Sequence, residues 1–301
     1  MALQVTTDLI QFEEYKLVFQ RDVASREQPF REALYMRKKE KGTTMSGKEI
    51  VEDDLKIVYD PVAEDEQLPE YKVEFHTIEY TAEERGAKIN FTQRLAISSQ
   101  IDFVKYARER VAKQASESLD YAAYEIFKNS NVSVSIPNLI TDPVVYNNTG
   151  AGVASTGEIT LERLLEIRAL MASKRVPGFK DVNLFTNFSS TAKLITEMYK
   201  AGWATESGRK NNLQSDFTRF NIFGIKVVLI STPYVDKLGA MDKDSYMFTD
   251  NPGVEIVILP ENIKTITLQE DAERFRYISW NYIGAFMARP GERIWKIMGK
   301  A

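Results

Sequence analysis

Few of the side chains that usually carry enzyme chemistry occur in this sequence. The chain has one histidine, His76, and no cysteine. This composition excludes a thiolate nucleophile, a cysteine metal site and the zinc sites built from several histidines. His76 lies in an alternating segment beside Glu74 and Glu79, where a lone histidine is more often packed or solvated than a general base. We therefore expect no catalytic residues, no metal and no cofactor, and hence a protein that is not an enzyme.

The overall charge and the hydrophobic pattern narrow the class of partner. The chain has 301 residues and a formal net charge of −4 at pH 7, which argues against direct nucleic-acid recognition, because that needs a clustered basic excess. No window approaches the roughly 18 apolar residues of a membrane span. The first residues include Asp8, Glu13 and Glu14 and lack the pattern of a secretory signal. We therefore expect a protein without a membrane partner, in the cytoplasm of the cell that produces it.

Charged residues divide the segment from residue 37 to residue 70 into two parts. Residues 37–48 (RKKEKGTTMSGK) are basic and contain glycine, whereas residues 49–70 are acidic and contain Pro61 and Pro69. Proline and glycine are typical of loops and turns. The segment is therefore predicted to be rich in loops, with a basic part followed by an acidic part.

Alternating hydrophobicity follows this segment. Residues 71–80 (YKVEFHTIEY) and 87–97 (AKINFTQRLAI) each alternate in the manner of a strand, and residues 82–86 (AEERG) carry a turn signal. The pattern predicts an antiparallel hairpin over residues 71–97. A long hairpin with two polar faces needs a neighbour to cover it.

One long amphipathic helix is predicted over residues 99–129, roughly 46 Å in length. Ser99 is the predicted N-cap, with Asp102 in the first turn. An alanine-rich apolar stripe repeats every three or four residues and is suited to packing against a sheet. The stripe consists of Val104, Ala107, Val111, Ala115, Leu119, Ala122 and Ile126. The residues predicted to point away from it are Lys105, Glu109, Lys113, Glu117 and Asp120.

Helices and strands alternate in the second half of the chain, as in a compact α/β or α+β unit. Thr160 is predicted to cap a helix, with Ile159 and Leu164 as its hydrophobic staple. The other predicted elements are a strand at 182–186, a helix at 190–202, a strand pair at 219–223 and 225–232 around Gly224, and strands at 245–250, 254–259, 264–269 and 274–290. The last strand is aromatic and alternates, so we expect the long helix to cover one of its faces.

The order of these elements resembles the major capsid protein of tailed bacteriophages, whose fold is shared with herpesvirus capsid floors and encapsulin nanocompartments. The resemblance covers most of the chain and lies in patterns and element order. The matching stretches are TAEERGAKINFTQRLAISSQIDFVKYARERVAKQASESLDYAAYEIF (81–127) for a strand and spine helix, ITLERLLEIRALMASKRV (159–176) and VNLFTNFSSTAKLITEMY (182–199) for an axial domain, and FNIFGIKVVLISTPYV (220–235) for a strand pair in that domain.

This resemblance implies an α+β fold, the tailed-phage major-capsid fold, with four parts. Residues 1–32 would be an N-terminal arm that reaches a neighbouring subunit, and residues 33–92 would hold an extended hairpin loop. Residues 93–154 and 263–301 would form a peripheral domain with the long helix as its spine. Residues 155–262 would form a mixed α/β axial domain around five-fold and six-fold vertices.

The function implied by the resemblance is structural. The chain would self-assemble into pentamers and hexamers that form the icosahedral head shell around the double-stranded DNA genome of a tailed phage. The alternative is an encapsulin-type shell around a cargo enzyme. The implied partners are further copies of the chain, separate scaffolding and portal proteins, and decoration proteins as a further option. The shell would enclose DNA without sequence-specific binding, and it would be assembled in the host bacterial cytoplasm and found in the virion.

Both charged parts are then candidates for contacts between subunits, because complementary patches set the register and orientation of an interface. The basic candidates are Arg37, Lys38, Lys39 and Lys41. The acidic candidates are Glu52, Asp53, Asp54, Glu64, Asp65 and Glu66. The alternative is that both parts are solvated loop surface.

Overall fold

The computed structural model describes residue 23 and residues 28–39, 44–52, 75–92, 103–137, 142–149, 157–200, 219–230, 244–267 and 275–298. The first half of the chain contributes helix α1 (Pro29–Glu32), strands β1 (Tyr35–Lys38), β2 (Ser46–Glu52), β3 (Phe75–Thr81) and β4 (Glu83–Thr92), helix α2 (Phe103–Lys128), and strands β5 (Val132–Ser135) and β6 (Val145–Asn147). The second half contributes helix α3 (Leu161–Ser173), strand β7 (Val182–Thr186), helix α4 (Phe188–Lys200), and strands β8 (Arg219–Ile222), β9 (Ile225–Leu229), β10 (Ser245–Thr249), β11 (Gly253–Thr267), β12 (Phe275–Ala288) and β13 (Ile294–Met298).

A four-stranded sheet has the order β1, β11, β12, β4. β1 runs parallel to β11, and the other neighbours are antiparallel. Helix α2 covers one face of this sheet, where Val111, Ala115 and Leu119 share a buried cluster with Ile278 and Trp280 of β12. The expectation that the long helix covers the last aromatic strand is therefore confirmed.

The apolar stripe of α2 is confirmed wherever its side chains are described. The buried members are Ala107, Val111, Ala115, Leu119 and Ala122, and Ile126 is half-buried. The side chains of Val104 and Lys105, and the predicted cap Ser99 with Asp102, lie outside the described residues. The described helix has 26 residues, a length of about 39 Å.

Asp120 corrects the predicted solvent face of α2. Glu109, Lys113 and Glu117 are exposed as predicted, whereas Asp120 is only 1% exposed. The buried arc of the helix is wider than one stripe, because α1 packs against it beside the sheet. The backbone N–H of Arg31 in α1 donates to Asp120 Oδ1 at 2.8 Å, so the buried carboxylate has a hydrogen-bond partner.

The end of the predicted N-terminal arm belongs to the core of the chain itself. Phe30 in α1 is 1% exposed, and its ring centroid lies between 5.0 and 5.2 Å from those of Tyr124, Phe127 and Phe185 in T-shaped arrangements. Aromatic pairs in this geometry stabilise a core beyond the area they bury. Residues 28–32, at the end of the predicted arm, therefore pack in the folded body of the chain, and the arm over residues 1–32 stays a prediction.

The hairpin predicted over residues 71–97 is wrong in its pairing. β3 pairs antiparallel with β2 in a separate two-stranded sheet, whereas β4 pairs with β12. Only Ala82 separates β3 from β4, and this connection is too short for a hairpin, whose tightest common loops have two residues. Alternating residues predict a strand and its faces, but the partner of the strand comes from elsewhere in the chain.

A seven-stranded sheet has the order β6, β5, β13, β10, β7, β9, β8. Ile159 and Leu164, the predicted staple, are both buried in its core, together with Leu194 of α4. Thr160 caps α3 as predicted, because its side-chain oxygen accepts a hydrogen bond from the backbone N–H of Arg163 at 3.3 Å. The cap and the staple together fix where α3 begins.

A two-residue turn joins β8 to β9, which confirms the predicted strand pair around Gly224. Phe223 has φ 49° and Gly224 has φ 76°, and a hairpin turn of type I′ requires positive φ at both positions. Arg168 of α3 supports the turn by donating hydrogen bonds to the carbonyl oxygens of Phe223 and Lys180. A Cβ atom at position 224 would lie 3.3 Å from the guanidinium nitrogens of Arg168.

The described residues of the strands predicted at 254–259 and 264–269 belong to the single strand β11, which ends at Thr267. Its pairing with β12 shifts between Val257 and Leu259 and again between Leu259 and Asn262. Pro260 lies in the second irregularity, a place where strands tolerate a residue without an N–H. The prediction of two strands is wrong because bulges absorb the interruption and the strand continues.

The sheets do not follow the predicted domain boundaries. The seven-stranded sheet contains β5, β6 and β13, which lie in the ranges 93–154 and 263–301 of the predicted peripheral domain. β11 begins within the predicted axial range 155–262 but pairs in the four-stranded sheet. The division into peripheral and axial domains stays a prediction.

Candidate inter-subunit contact site

The structure describes four of the ten residues predicted to make contacts between subunits. Arg37 and Lys38 lie on β1, Lys39 follows it directly, and Glu52 is the last residue of β2. The side chain of Glu52 lies outside the described part of the chain. The predicted residues that lie wholly outside it are Lys41, Asp53, Asp54, Glu64, Asp65 and Glu66.

Arg37 and Lys39 share one carboxylate partner within the chain. Arg37 Nη1 donates to Glu49 Oε1, and Lys39 Nζ lies 3.8 Å from Glu49 Oε2. The side chain of Glu49 is only 10% exposed, whereas that of Arg37 is 49% exposed. A buried carboxylate needs such partners, and hydrogen bonds between charged groups are the stronger kind. The two ion pairs connect the edge of the four-stranded sheet to β2.

Lys38 does not join this arrangement. Side chains alternate along a strand, so Arg37 and Lys38 point to opposite faces of β1. Lys38 shares its face with Met36, and both side chains are exposed. The structure therefore brings two of the basic candidates together and leaves the third on the opposite face.

The base of the β2–β3 hairpin packs on the face of the four-stranded sheet opposite α2. Tyr80 is buried in a cluster with Val254 and Ile256 of β11. A Cβ atom at Gly47 would lie 2.6 Å from Tyr80 Oη, so any side chain there would displace the ring. Lys39 Nζ lies 5.9 Å from the centroid of the Tyr80 ring, within reach of a cation–π interaction. The base is thus closely packed on its inner face.

The outer face of the same hairpin carries an exposed ion pair. Lys48 and Glu79 are directly opposite in register, their charged atoms are 2.8 Å apart, and their side chains are 63% and 73% exposed. The hydrogen bond and the charge of Lys48 lower the pKa of Glu79, and those of Glu79 raise the pKa of Lys48. Because water and salt screen exposed pairs, this pair contributes little to stability.

A buried charge network around Arg31 joins α1 to β11 and β12. Arg31 Nε donates to the two carboxylate oxygens of Glu255 at 3.0 and 2.9 Å, and Nη2 donates to Oε1 at 2.7 Å. Arg31 also pairs with Glu261 and donates to Gln28 Oε1 at 3.0 Å. Tyr282 Oη donates to Glu255 Oε1 at 3.0 Å. The fully buried Glu255 carboxylate is therefore held by a cation and a phenol.

The surroundings keep both donors of this network protonated. Burial disfavours the charged form of Arg31, but the hydrogen bonds and charge of Glu255, with the charge of Glu261, raise the pKa of Arg31 above its ordinary value. Burial, followed by the charge of Glu255, raises the pKa of Tyr282. Tyr282 thus stays a phenol that can donate to the carboxylate.

Sequence reasoning missed this network, because Arg31 and Glu255 are 224 residues apart and no local spacing connects them. One signal was available. Glu255 is a lone charge in the otherwise apolar stretch VEIVIL (254–259), and a charge in a buried strand requires a partner of opposite charge.

Within the described ranges, no group of three or more His, Cys, Asp or Glu residues is placed to hold a metal ion. No helix in the described part of the chain is long and apolar enough to cross a membrane.

Comparisons with known proteins show which solved structures have a similar fold. The capsid of cyanophage Pam1 has a TM-score of 0.61 and 13% identity, with 87% of this chain and 90% of that chain covered. The capsid of Ralstonia phage GP4 has a TM-score of 0.60 and 11% identity, with 88% and 86% covered. The capsid of a native GTA particle has a TM-score of 0.53 and 13% identity, with 92% and 91% covered. No curated protein sequence matches the chain.

These similarities show that the chain has the α+β fold of phage capsid proteins. The predicted fold class is therefore confirmed. The family model described as phage capsid protein matches residues 74–293, well over half of the sequence. The chain belongs to the phage capsid protein family. The predictions of a capsid protein and of a structural, shell-forming role are therefore confirmed.

Proposed function

We propose that many copies of this chain assemble through pentamers and hexamers into the icosahedral head shell that encloses the double-stranded DNA of a tailed phage. In this proposal the role is structural, with no reaction catalysed. Assembly takes place in the host bacterial cytoplasm, and the product is the capsid of the virion. Separate scaffolding and portal proteins act with the chain, and decoration proteins are a further option. The capsid family to which the chain belongs supports this role.

The observation that carries the proposal is the family match, because residues 74–293 match the model of the phage capsid protein family.

The β2–β3 hairpin supports the same proposal. An isolated two-stranded sheet is at best marginally stable in water, and this one pairs with no third strand in the described part of the chain. Its base is covered by the four-stranded sheet, and its outer face carries the exposed pair Lys48 and Glu79. A neighbouring copy would cover the outer face, and closed symmetric assembly would complete it on every copy.

Size-exclusion chromatography with in-line light scattering, followed by negative-stain microscopy, tests the proposal. We expect closed megadalton shells, or rings of five or six copies. A monomer at every concentration, unchanged when the neighbouring genes of its cluster are co-expressed, would refute a shell. The protein content of the same peak tests the alternative. A shell that retains a co-purified enzyme would indicate an encapsulin-type compartment, whereas an empty shell from one gene would not.

Charge reversal tests the predicted contact residues. Lys38→Glu should lower the yield of assembled particles, because Lys38 is exposed on β1 and has no role in the Glu49 ion pairs. Lys180→Glu is the matched control, since Lys180 is also exposed and the charge change is identical. Equal yields for the two variants would contradict a contact at Lys38.

A further inference from the structure

Glu49 is the point at which charge ties the hairpin to the body of the subunit. It lies on β2 with its side chain on the inner face, directly opposite Ile78 of β3. Its two cationic partners belong to another element, since Arg37 is on β1 and Lys39 follows it. The carboxylate is largely buried while Arg37 reaches water. One acidic side chain therefore bridges two sheets.

The remaining contacts at the base differ in kind. Tyr80 packs on Val254 and Ile256, and apolar contact of this type has little directional preference. The hydrogen bond from the N–H of Ala82 to the carbonyl oxygen of Met45, at 2.6 Å, joins the two ends of the hairpin to each other. Hydrogen bonds between charged groups add geometric specificity to their energy. The Glu49 pairs are thus charged, directional contacts between the hairpin and the edge of the four-stranded sheet.

We infer that Glu49 is a positioning residue, which, through Arg37 and Lys39, holds the β2–β3 hairpin at a fixed angle so that it meets a neighbouring copy in register. This inference rests on the proposed shell function. Strand β2 is long enough that a small change in the angle of the hairpin moves its far end appreciably. β2 has seven residues, about 23 Å at 3.3 Å per residue, so a tilt of about 10° moves its far end by about 4 Å. A displacement of that size breaks a hydrogen bond.

The test measures the angle directly in the full chain. The sequence lacks cysteine, so Thr77→Cys on the outer face of β3 and Gln114→Cys on α2, both exposed positions, accept two spin labels without background. Double electron–electron resonance spectroscopy gives the distribution of distances between the two labels in unassembled subunits. Glu49→Gln removes the charge, and Glu79→Gln is the matched control, with the same charge change on the outer face of the same hairpin. Melting midpoints and electron micrographs are recorded for each variant.

The expected result separates the two variants. Glu49→Gln should broaden the distance distribution at least twofold and give particles of mixed size, with a melting midpoint within a few degrees of the control. Glu79→Gln should match the parent in width. Arg37→Gln removes one partner and leaves Lys39 beside the carboxylate. It should also broaden the distribution, and it replaces Glu49→Gln if that variant does not fold.

Two outcomes would overturn the inference. The first is equal widths for Glu49→Gln and Glu79→Gln. The second is a large loss of melting temperature in Glu49→Gln without heterogeneous particles, which would make Glu49 a stabilising residue only. Failure of the parent chain to assemble would count against the proposed function. The distance measurement on unassembled subunits tests the positioning role of Glu49 independently of assembly.

Discussion

Replacing Arg31 with methionine removes the cation from the buried network at α1. Methionine retains much of the length and volume of the arginine stem, so the change acts chiefly on charge and hydrogen bonds. It leaves the fully buried carboxylate of Glu255 with the phenol of Tyr282 and without its cation. Glu261 also loses its ion pair with Arg31.

The expected cost follows from the burial of the pair. Removing one partner of a buried ion pair costs about 3–5 kcal/mol, because the other charge stays buried without compensation. Both side chains of the Arg31 and Glu255 pair are below 10% exposure, so solvent screening reduces this value little. At about 2.1 cal/mol/K of unfolding entropy per residue, the melting midpoint of the chain should fall by about 5–8 °C.

Denaturant unfolding of the unassembled subunit measures this cost, with two comparison variants. Arg219→Met breaks the pair with Glu32, whose side chains are 63% and 53% exposed, and should cost less than about 1 kcal/mol. The double variant Arg31→Met/Glu255→Met removes both charges and should recover much of the loss. A single Arg31→Met variant as stable as Arg219→Met, or a double variant less stable than the single one, would refute the reasoning.

Two further changes test local structure. Gly224→Ala should cost about 1–2 kcal/mol, because φ 76° is unfavourable for alanine and its Cβ would press on Arg168; chemical denaturation would show this, and a neutral result would contradict the left-handed turn. Thr160→Ala should cost about 1 kcal/mol by removing the cap that accepts from Arg163, whereas Thr160→Asp should retain stability, and equal losses for both would exclude a capping role.

Local signals in the sequence predicted local structure. Thr160 with its staple predicted the start of α3, and Gly224 predicted the turn between β8 and β9, because caps and turns depend on residues a few positions apart. The apolar stripe of α2 predicted the helix and its buried face, since helical spacing reports one-sided burial directly.

Features set by distant residues escaped sequence reasoning. Asp120 was assigned to solvent, and its partner Arg31 is 89 residues away. Alternating hydrophobicity predicted the strands now seen at 75–81 and 83–92, and it predicted that they pair with each other. Their actual partners are β2 and β12. Of the ten charged contact candidates, two pair with Glu49, which no local rule distinguishes from its acidic neighbours. Partner choice is a tertiary property, and one sequence contains little direct record of it.

The two irregularities in β11 have a consequence for how this segment can vary in length. From Val257 to Asn262 the strand advances five residues, while its partner advances three between Asn281 and Gly284. The two surplus residues form an even number, so the strand leaves the bulges with the same face towards the helix as it had before them. A single-residue insertion or deletion there would turn the rest of the strand over, because side chains alternate with a period of two. Insertions and deletions near Pro260 should therefore change the length of the strand by an even number of residues. A change by an odd number should be tolerated only where a second such change lies nearby.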